Sequence, residues 1–162
     1  MMATFPMIPF LLALHILSVV LWIGGVAFVT TVFLPALVRL DEAERIPVFL
    51  DIEGRFGAQA RVLVLVAGAT GGALIGLLHL QGLLALRAGW WLDAMIALWA
   101  LFFVLLFILE PFVLHRRLEA RGARDGEGTR RLLLRGHRIL LALAILVVWG
   151  AVWGAQGGNA YL

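Results

Sequence analysis

Four long apolar runs constrain the fold of this chain more than any other feature. They cover about residues 8–38, 61–86, 90–115 and 137–156. Each run reaches the ~20 residues that an α-helix needs to cross a bilayer. Hydrophobic residues make up 63% of the sequence, whereas soluble domains have roughly 45–50%. The sequence therefore predicts an all-α integral membrane protein, with residues 1–162 forming one domain built as a bundle of four transmembrane helices.

The first run is expected to remain as a helix. The segment before it, MMATFPM, has no basic residue, and the apolar stretch continues beyond the length of a signal peptide without an A-x-A cleavage pattern.

The basic residues are distributed unevenly. All thirteen are arginines: four flank the first connection, eight flank the third, and Arg87 alone lies in the second. The positive-inside rule therefore places connections one and three in the cytoplasm and both termini outside. Because the arginines adjoin helix ends, we expect the lipid bilayer as their partner, and no nucleic acid. The absence of cysteine excludes disulfides, thiolate metal sites and covalently attached c-type haem.

The two arginine-rich connections differ in pattern. In the first, apolar residues recur at helical spacing opposite charged ones, which predicts a short amphipathic helix on the cytoplasmic surface between helices 1 and 2. Its apolar face consists of Ile46, Phe49, Ile52 and Phe56. The third, RRLEARGARDGEGTRR, is polar and contains glycine. We expect it to be the most mobile part of the chain, with no role beyond topology.

A weak internal repeat aligns Pro35 with Pro111. The segments are FLPALVRLDEAER and LEPFVLHRRLEAR, and each is followed about 25 residues later by a span that begins with arginine. Such repeats indicate two helical hairpins related by an axis along the membrane normal. The prolines are expected to mark helix ends or kinks near the cytoplasmic surface.

Two histidines inside apolar runs are the main clue to function, because an ionisable group in hydrocarbon is costly and rare. His15 shares a helix face with Ser18, Trp22 and Gly25. His79 follows a strip of Gly68, Gly72 and Gly76. Each histidine lies about seven residues from the outer end of its run, so at 1.5 Å per residue both are expected roughly 10 Å below the outer face.

This arrangement predicts that His15 and His79 are the axial ligands of a b-type haem, with Gly72 and Gly76 against the macrocycle. Other interpretations stay open. Small residues at every fourth position often serve helix packing, and a membrane histidine can simply hydrogen-bond to a neighbouring helix. Alternatively, the two histidines bind copper together with Met95 or Asp93, since copper accepts imidazole and thioether ligands.

A second polar cluster is predicted near the cytoplasmic side. A buried carboxylate requires a partner, so we expect Glu110 to form a structural ion pair with Arg138 or His137. A proton relay is the alternative. His115, beside two arginines, is expected at the interface.

Residues 14 to 37, LHILSVVLWIGGVAFVTTVFLPAL, resemble the first helix of CopD-like membrane proteins. That helix carries a histidine, a tryptophan followed by paired glycines, and a terminal L-x-P-x-L. The segments GRFGAQARVLVLVAGATGG, WWLDAMIALW and LRGHRILLALAILVVWGAVWGAQG look like the remaining helices. The resemblance implies copper handling or, by similarity to HemJ-type proteins, haem-linked oxidation of protoporphyrinogen, in a bacterial inner membrane. It transfers His15 only, because Leu109 and Glu110 stand where the family has a late third-helix histidine.

Three hypotheses follow. The first is a b-type haem protein for electron transfer or a haem-linked redox reaction, with its cofactor near the periplasmic side and a membrane or periplasmic redox partner. The second is copper binding or transport. The third is a cofactor-free structural or assembly subunit of a membrane complex. The chain can also form oligomers under any of the three.

Overall fold

The computed structural model describes residues 7–157, except for the side chains of residues 113–115. The α-helices of eight or more residues are α1 (Met7–Phe28), α2 (Glu42–Leu77), α3 (Trp90–Val104), α4 (His115–Gly122) and α5 (Gly126–Ala155). Two of them are prolonged by π-helical turns, α1 by Val29–Phe33 and α3 by Leu105–Leu114. Shorter turns complete the described chain: Leu34–Ala36, Leu37–Arg39, Leu80–Leu83 and Arg87–Gly89.

The prediction of four membrane-length helices is confirmed. Stretches long and apolar enough to cross a bilayer are Met7–Arg39, Glu42–Leu77, Arg87–Phe112 and Gly126–Ala155. Large apolar side chains also point outward along them; Phe10, Phe112 and Trp149 are 66%, 76% and 64% exposed. Such a surface is unfavourable in water and suits contact with lipid chains.

The helices pack as two hairpins. α1 lies chiefly against α2, and α3 lies chiefly against α5. Connections one and three therefore meet at the same end of the bundle, which we call the arginine-rich end. The opposite end holds the second connection, the start of α1 and the end of α5.

Two apolar clusters fill the bundle. One lies near the arginine-rich end and consists of Val29, Leu34, Leu37, Ile46, Phe49, Leu50 and Leu118. The other lies further along and consists of Trp22, Val26, Val64, Leu98, Phe102 and Ala144. All four long helices contribute to the second cluster, so the centre of the bundle at that level is packed with side chains.

The amphipathic segment between the first two spans is helical as predicted, but it is not a separate helix. It forms the first turns of α2, which continues without a break to Leu77. Ile46 and Phe49 are 2% and 0% exposed because they pack against the end of the first span and against α4. The face predicted to rest on the membrane surface is thus largely covered by protein.

The third connection is also structured and joins the first. Asp125 caps α5 by accepting the Gly128 amide at 2.7 Å. The Glu127 carboxylate binds Arg45 at 2.8 Å and Arg130 at 2.7 Å. This connection therefore has a structural part that the sequence did not predict, since it links α2 to α5 through an ion pair.

Candidate functional site

His15 is held by its Nδ1 atom against α2. Nδ1 lies 3.0 Å from the Ala67 carbonyl oxygen and 3.1 Å from the Thr70 hydroxyl oxygen. A carbonyl can only accept a hydrogen bond, so Nδ1 carries the hydrogen. In the neutral imidazole the lone pair then lies on Nε2, where no described residue places a hydrogen-bond partner.

The hydroxyl of Thr70 is itself oriented by its own helix. It donates to the Val66 carbonyl at 2.6 Å, which leaves its oxygen as an acceptor towards Nδ1. Thr70 is only 5% exposed, so this arrangement is shielded. The two acceptors together fix both the ring orientation and the tautomer of His15.

Gly71 makes room for the imidazole. A Cβ atom at Gly71 would lie 3.1 Å from Cε1 of His15, which is closer than ordinary van der Waals contact. On α1, the face predicted to carry His15 does turn into the bundle, since Ser18 and Trp22 are 2% and 3% exposed. Ser18 serves its own helix by donating to the His15 carbonyl at 2.8 Å. Gly25 provides a notch for the ring of Phe56.

Trp22 has an unusual environment for its indole N–H. Its ring packs edge-on against Phe102, with centroids 4.7 Å apart. Nε1 is buried and has no hydrogen-bond acceptor among the described residues. A buried donor without an acceptor is costly, so an acceptor from a bound group would stabilise the indole N–H here.

His79 does not lie opposite His15. Six residues of α2, about 9 Å of helix, separate Gly71 from the helix end at Leu77, and His79 lies beyond that end. It has a left-handed backbone, with φ of 55°, and its side chain is exposed. The prediction of equal depth is wrong because it assumed a helix continuing to Leu86.

Only part of the glycine strip of α2 is covered by a neighbouring helix. Gly72 and Gly76 are exposed, and nothing lies within 4 Å of a Cβ built on either. The inward glycines are Gly71 and Gly68, and Gly68 receives the indole of Trp99. The predicted sandwich of a macrocycle between His15, Gly72, Gly76 and His79 is therefore not the geometry of this chain.

The residues predicted as copper ligands are not assembled. Met95 is half-buried on α3, while the Asp93 carboxylate accepts the Ala85 amide at 3.1 Å and so serves the second connection. Among the side chains that the structure describes, which exclude that of His115, no group of three or more histidine, aspartate or glutamate residues is placed to hold a metal ion.

Glu110 is paired with Arg61, a partner that the sequence did not predict. Nη2 of Arg61 lies 2.7 Å from Oε1 of Glu110, and Nε of Arg61 donates to the Leu106 carbonyl at 3.0 Å. The carboxylate sits against Gly57, where a Cβ would be 2.9 Å from Oε1.

The position of Pro111 explains why Arg61 binds there. Pro111 lies inside the π-helical segment Leu105–Leu114, in which each N–H bonds to the carbonyl five residues earlier. Proline has no N–H, so the Leu106 carbonyl lacks its helical donor and accepts from Arg61 instead. One guanidinium thus satisfies both a backbone carbonyl and a carboxylate of the same turn.

His137 and Arg138, the predicted partners of Glu110, make other contacts. His137 Nδ1 donates to the Leu133 carbonyl at 2.9 Å, and its ring packs edge-on against Phe49. Arg138 is exposed and lines a cleft between the first and last spans. Glu110 is ion-paired, as predicted, but with Arg61 and not with Arg138 or His137. The choice between a structural role and a proton relay stays a prediction. Arg61 looked like a residue flanking the membrane, whereas it is the twentieth residue of a 36-residue helix.

Comparison with known proteins gives no relative for this chain. No protein-family model, no curated protein and no solved structure matches it. The resemblance of residues 14 to 37 to CopD-like proteins therefore stays a prediction.

Proposed function

We propose that this protein binds a b-type haem through Nε2 of His15 and carries out a haem-linked redox reaction in the membrane. The observation that supports this most is the way in which α2 holds the imidazole. Nδ1–H is directed at the Ala67 carbonyl and the Thr70 oxygen, which leaves the lone pair of Nε2 for a metal. Histidines that bind metals usually donate their other N–H to a carbonyl or carboxylate in this way, which fixes the ring and raises its basicity.

The unsatisfied N–H of Trp22 supports a bound group on the same helix face. Trp22 lies two turns from His15 on the inward side of α1. A haem carries carboxylate side chains, which would accept such a hydrogen bond. Since the cluster around Trp22 is closely packed, binding would require local rearrangement of this part of the core.

Of the two histidines, only His15 would hold the haem iron, because His79 lies past the end of α2 and away from His15. A haem held by His15 alone would leave its iron open to a substrate. An open position suits reaction with a substrate, whereas two protein ligands suit electron transfer alone. We therefore favour a redox reaction over simple electron transfer.

We further propose that the arginine-rich end faces the cytoplasm, as the positive-inside rule requires. Both termini would then be periplasmic in a bacterial inner membrane. His15 lies eight residues from Met7, about 12 Å along α1. In this orientation the proposed haem would lie in the outer half of the bilayer.

The decisive experiment is the visible spectrum of the detergent-purified protein, oxidised and then reduced. Haem absorption is expected in the wild type and in His79→Ala, and it should be lost in His15→Ala. His137→Ala is the matched control, because His137 has the same Nδ1-to-carbonyl bond but its ring packs against Phe49. Thr70→Val should keep the haem and shift its midpoint potential, since it removes one acceptor from Nδ1. Loss of haem in His79→Ala but not in His15→Ala would refute the assignment.

A second candidate is a cofactor-free subunit of a membrane complex. The outward position of Gly72 and Gly76 favours it, because small residues on a lipid-facing side let another helix approach closely. If the purified protein contains neither haem nor copper, and Gly72→Leu abolishes co-purification of another membrane protein, this candidate replaces the haem proposal.

A further inference from the structure

A lipid-facing cleft of about 410 Å³ opens between the first and last spans. Thr30, Thr31 and Pro35 form one wall, and Arg138, Leu141 and Ala142 form the other. It lies on the outside of the bundle, away from His15, and it has no part in the proposed haem site. Its shape and chemistry suggest a ligand that comes from the bilayer itself.

Arg138 gives the cleft its charge. It is exposed, and among the described residues no acidic side chain lines the cleft with it. It is also the last charged residue of α5, followed by the 17 uncharged residues Ile139–Ala155. At 1.5 Å per residue those residues cover about 25 Å, close to the ~30 Å of a hydrocarbon core. The guanidinium therefore lies where the hydrocarbon meets the headgroups of one leaflet.

Along α5, the wall of the cleft changes from charged to apolar in the order of a phospholipid. Pro35 and Arg138 lie towards the arginine-rich end, whereas Leu141, Ala142 and Ile145 continue along α5 away from it. An anionic group beside Arg138 would thus have its acyl chain directed over an apolar wall into the bilayer. This order does not depend on which side of the membrane the arginine-rich end faces.

The remaining polar atoms of the cleft are acceptors. The hydroxyls of Thr30 and Thr31 donate to the carbonyls of Val26 and Ala27, at 2.6 and 2.7 Å. Their oxygens can therefore only accept further hydrogen bonds. Both threonines lie about one turn further from the arginine-rich end than Pro35. They therefore line the acyl side of the cleft, and Arg138 is the group that recognises the headgroup.

We propose that this cleft binds one anionic phospholipid, with its phosphate on Arg138 and an acyl chain along Leu141, Ala142 and Ile145. Phosphatidylglycerol has this chemistry. The bond between guanidinium and phosphate is charge-assisted, and it lies at a depth where water screens it poorly.

The test is native mass spectrometry of the detergent-purified full chain, titrated separately with phosphatidylglycerol, phosphatidylcholine and inorganic phosphate. We expect one tightly held phosphatidylglycerol, at least about tenfold weaker binding of phosphatidylcholine, and no saturable binding of inorganic phosphate. Arg138→Gln should weaken phosphatidylglycerol about tenfold, as the loss of one charge-assisted hydrogen bond predicts. Arg135→Gln is the matched control, because it removes an exposed arginine one turn away on α5 that does not line the cleft.

A second pair of variants tests the apolar wall without changing charge. Ala142→Phe fills the cleft and should weaken phosphatidylglycerol, whereas Leu143→Phe adds bulk on a residue outside the cleft and should not. Equal loss in Arg135→Gln and Arg138→Gln, or an unchanged affinity in Ala142→Phe, would overturn the proposal. So would equal binding of phosphatidylcholine. Saturable binding of inorganic phosphate at Arg138 would mean that the site recognises the free anion and not the lipid.

Discussion

Replacing Arg61 and Glu110, singly and together, tests whether their ion pair holds α2 to α3. The two side chains retain 31% and 15% exposure, and their charged atoms are 2.7 Å apart. Removing one member of a buried pair costs about 3–5 kcal/mol, because the other charge stays behind in a poorly solvated place. We expect about 3 kcal/mol, the low end of that range, for each of Arg61→Leu and Glu110→Leu, since Arg61 keeps a third of its exposure.

The double variant should cost much less than the ~6 kcal/mol sum of the two single variants. With both charges gone, the chief remaining defect is the Leu106 carbonyl, which has lost the donor that Arg61 supplied. A buried acceptor left in this way costs about 1–3 kcal/mol. The free energy of coupling between the two sites is the ~6 kcal/mol sum less this cost. It is therefore expected to reach at least about 3 kcal/mol, the upper end of what neighbouring residues show.

Pro111→Ala provides an internal check on this reasoning. Alanine restores the N–H that proline lacks, so the backbone of α3 can bond to the Leu106 carbonyl itself. In the Arg61→Leu background, Pro111→Ala should recover about 1 kcal/mol, the net contribution of one hydrogen bond. In the wild-type background the gain in the free energy of unfolding should be smaller, because Arg61 already donates to that carbonyl.

The free energies would be measured by unfolding the protein with a denaturing detergent in mixed micelles, followed by the fluorescence of its six tryptophans. Additive single and double variants, with a coupling below about 0.5 kcal/mol, would refute the claim that the pair is an interacting unit. A Pro111→Ala substitution that destabilises the Arg61→Leu variant further would refute the role assigned to the Leu106 carbonyl.

Two further predictions concern the histidine site and the topology. Gly71→Val should lower the free energy of unfolding by about 1–3 kcal/mol, because the valine side chain would enter the space of the His15 ring. Gly72→Ala should instead stabilise the helix by about 0.5–1 kcal/mol, because its methyl group points into open space. Equal effects of the two substitutions in the same unfolding assay would contradict the placement of these glycines. For topology, a cysteine introduced at exposed Arg124 should react with a membrane-impermeant thiol reagent only from the cytoplasmic side, and labelling from outside would reverse the proposed orientation. Gly126 is unsuitable for this purpose, since a Cβ there would lie 2.7 Å from a backbone oxygen.

The sequence predicted the number and character of the long helices, because that information is local. Crossing a bilayer requires a run of apolar residues long enough to satisfy its own backbone hydrogen bonds, and such runs are visible without knowledge of any partner. The arginine distribution likewise predicts which connections share a side, and the structure brings those two connections together at one end. The inward face of α1, with Ser18 and Trp22, also followed from helical spacing.

Only the tertiary structure decided which side chains meet. The depth of His79 depends on where α2 ends, and the apolar run gave no sign that the helix stops at Leu77. Gly71 and Gly72 differ by one position, about 100° around the helix, yet one receives His15 and the other faces outward.

Arg61 is a second residue whose contacts the sequence did not predict. The sequence placed it at a membrane boundary, where an arginine needs no partner, and α2 instead carries it into the bundle beside Pro111 and Glu110. Its binding site exists because a proline on another helix leaves one carbonyl without a donor. Apolar periodicity determines the helices, whereas the pairing of polar groups between helices depends on rotation and register, which no local pattern in this sequence specifies.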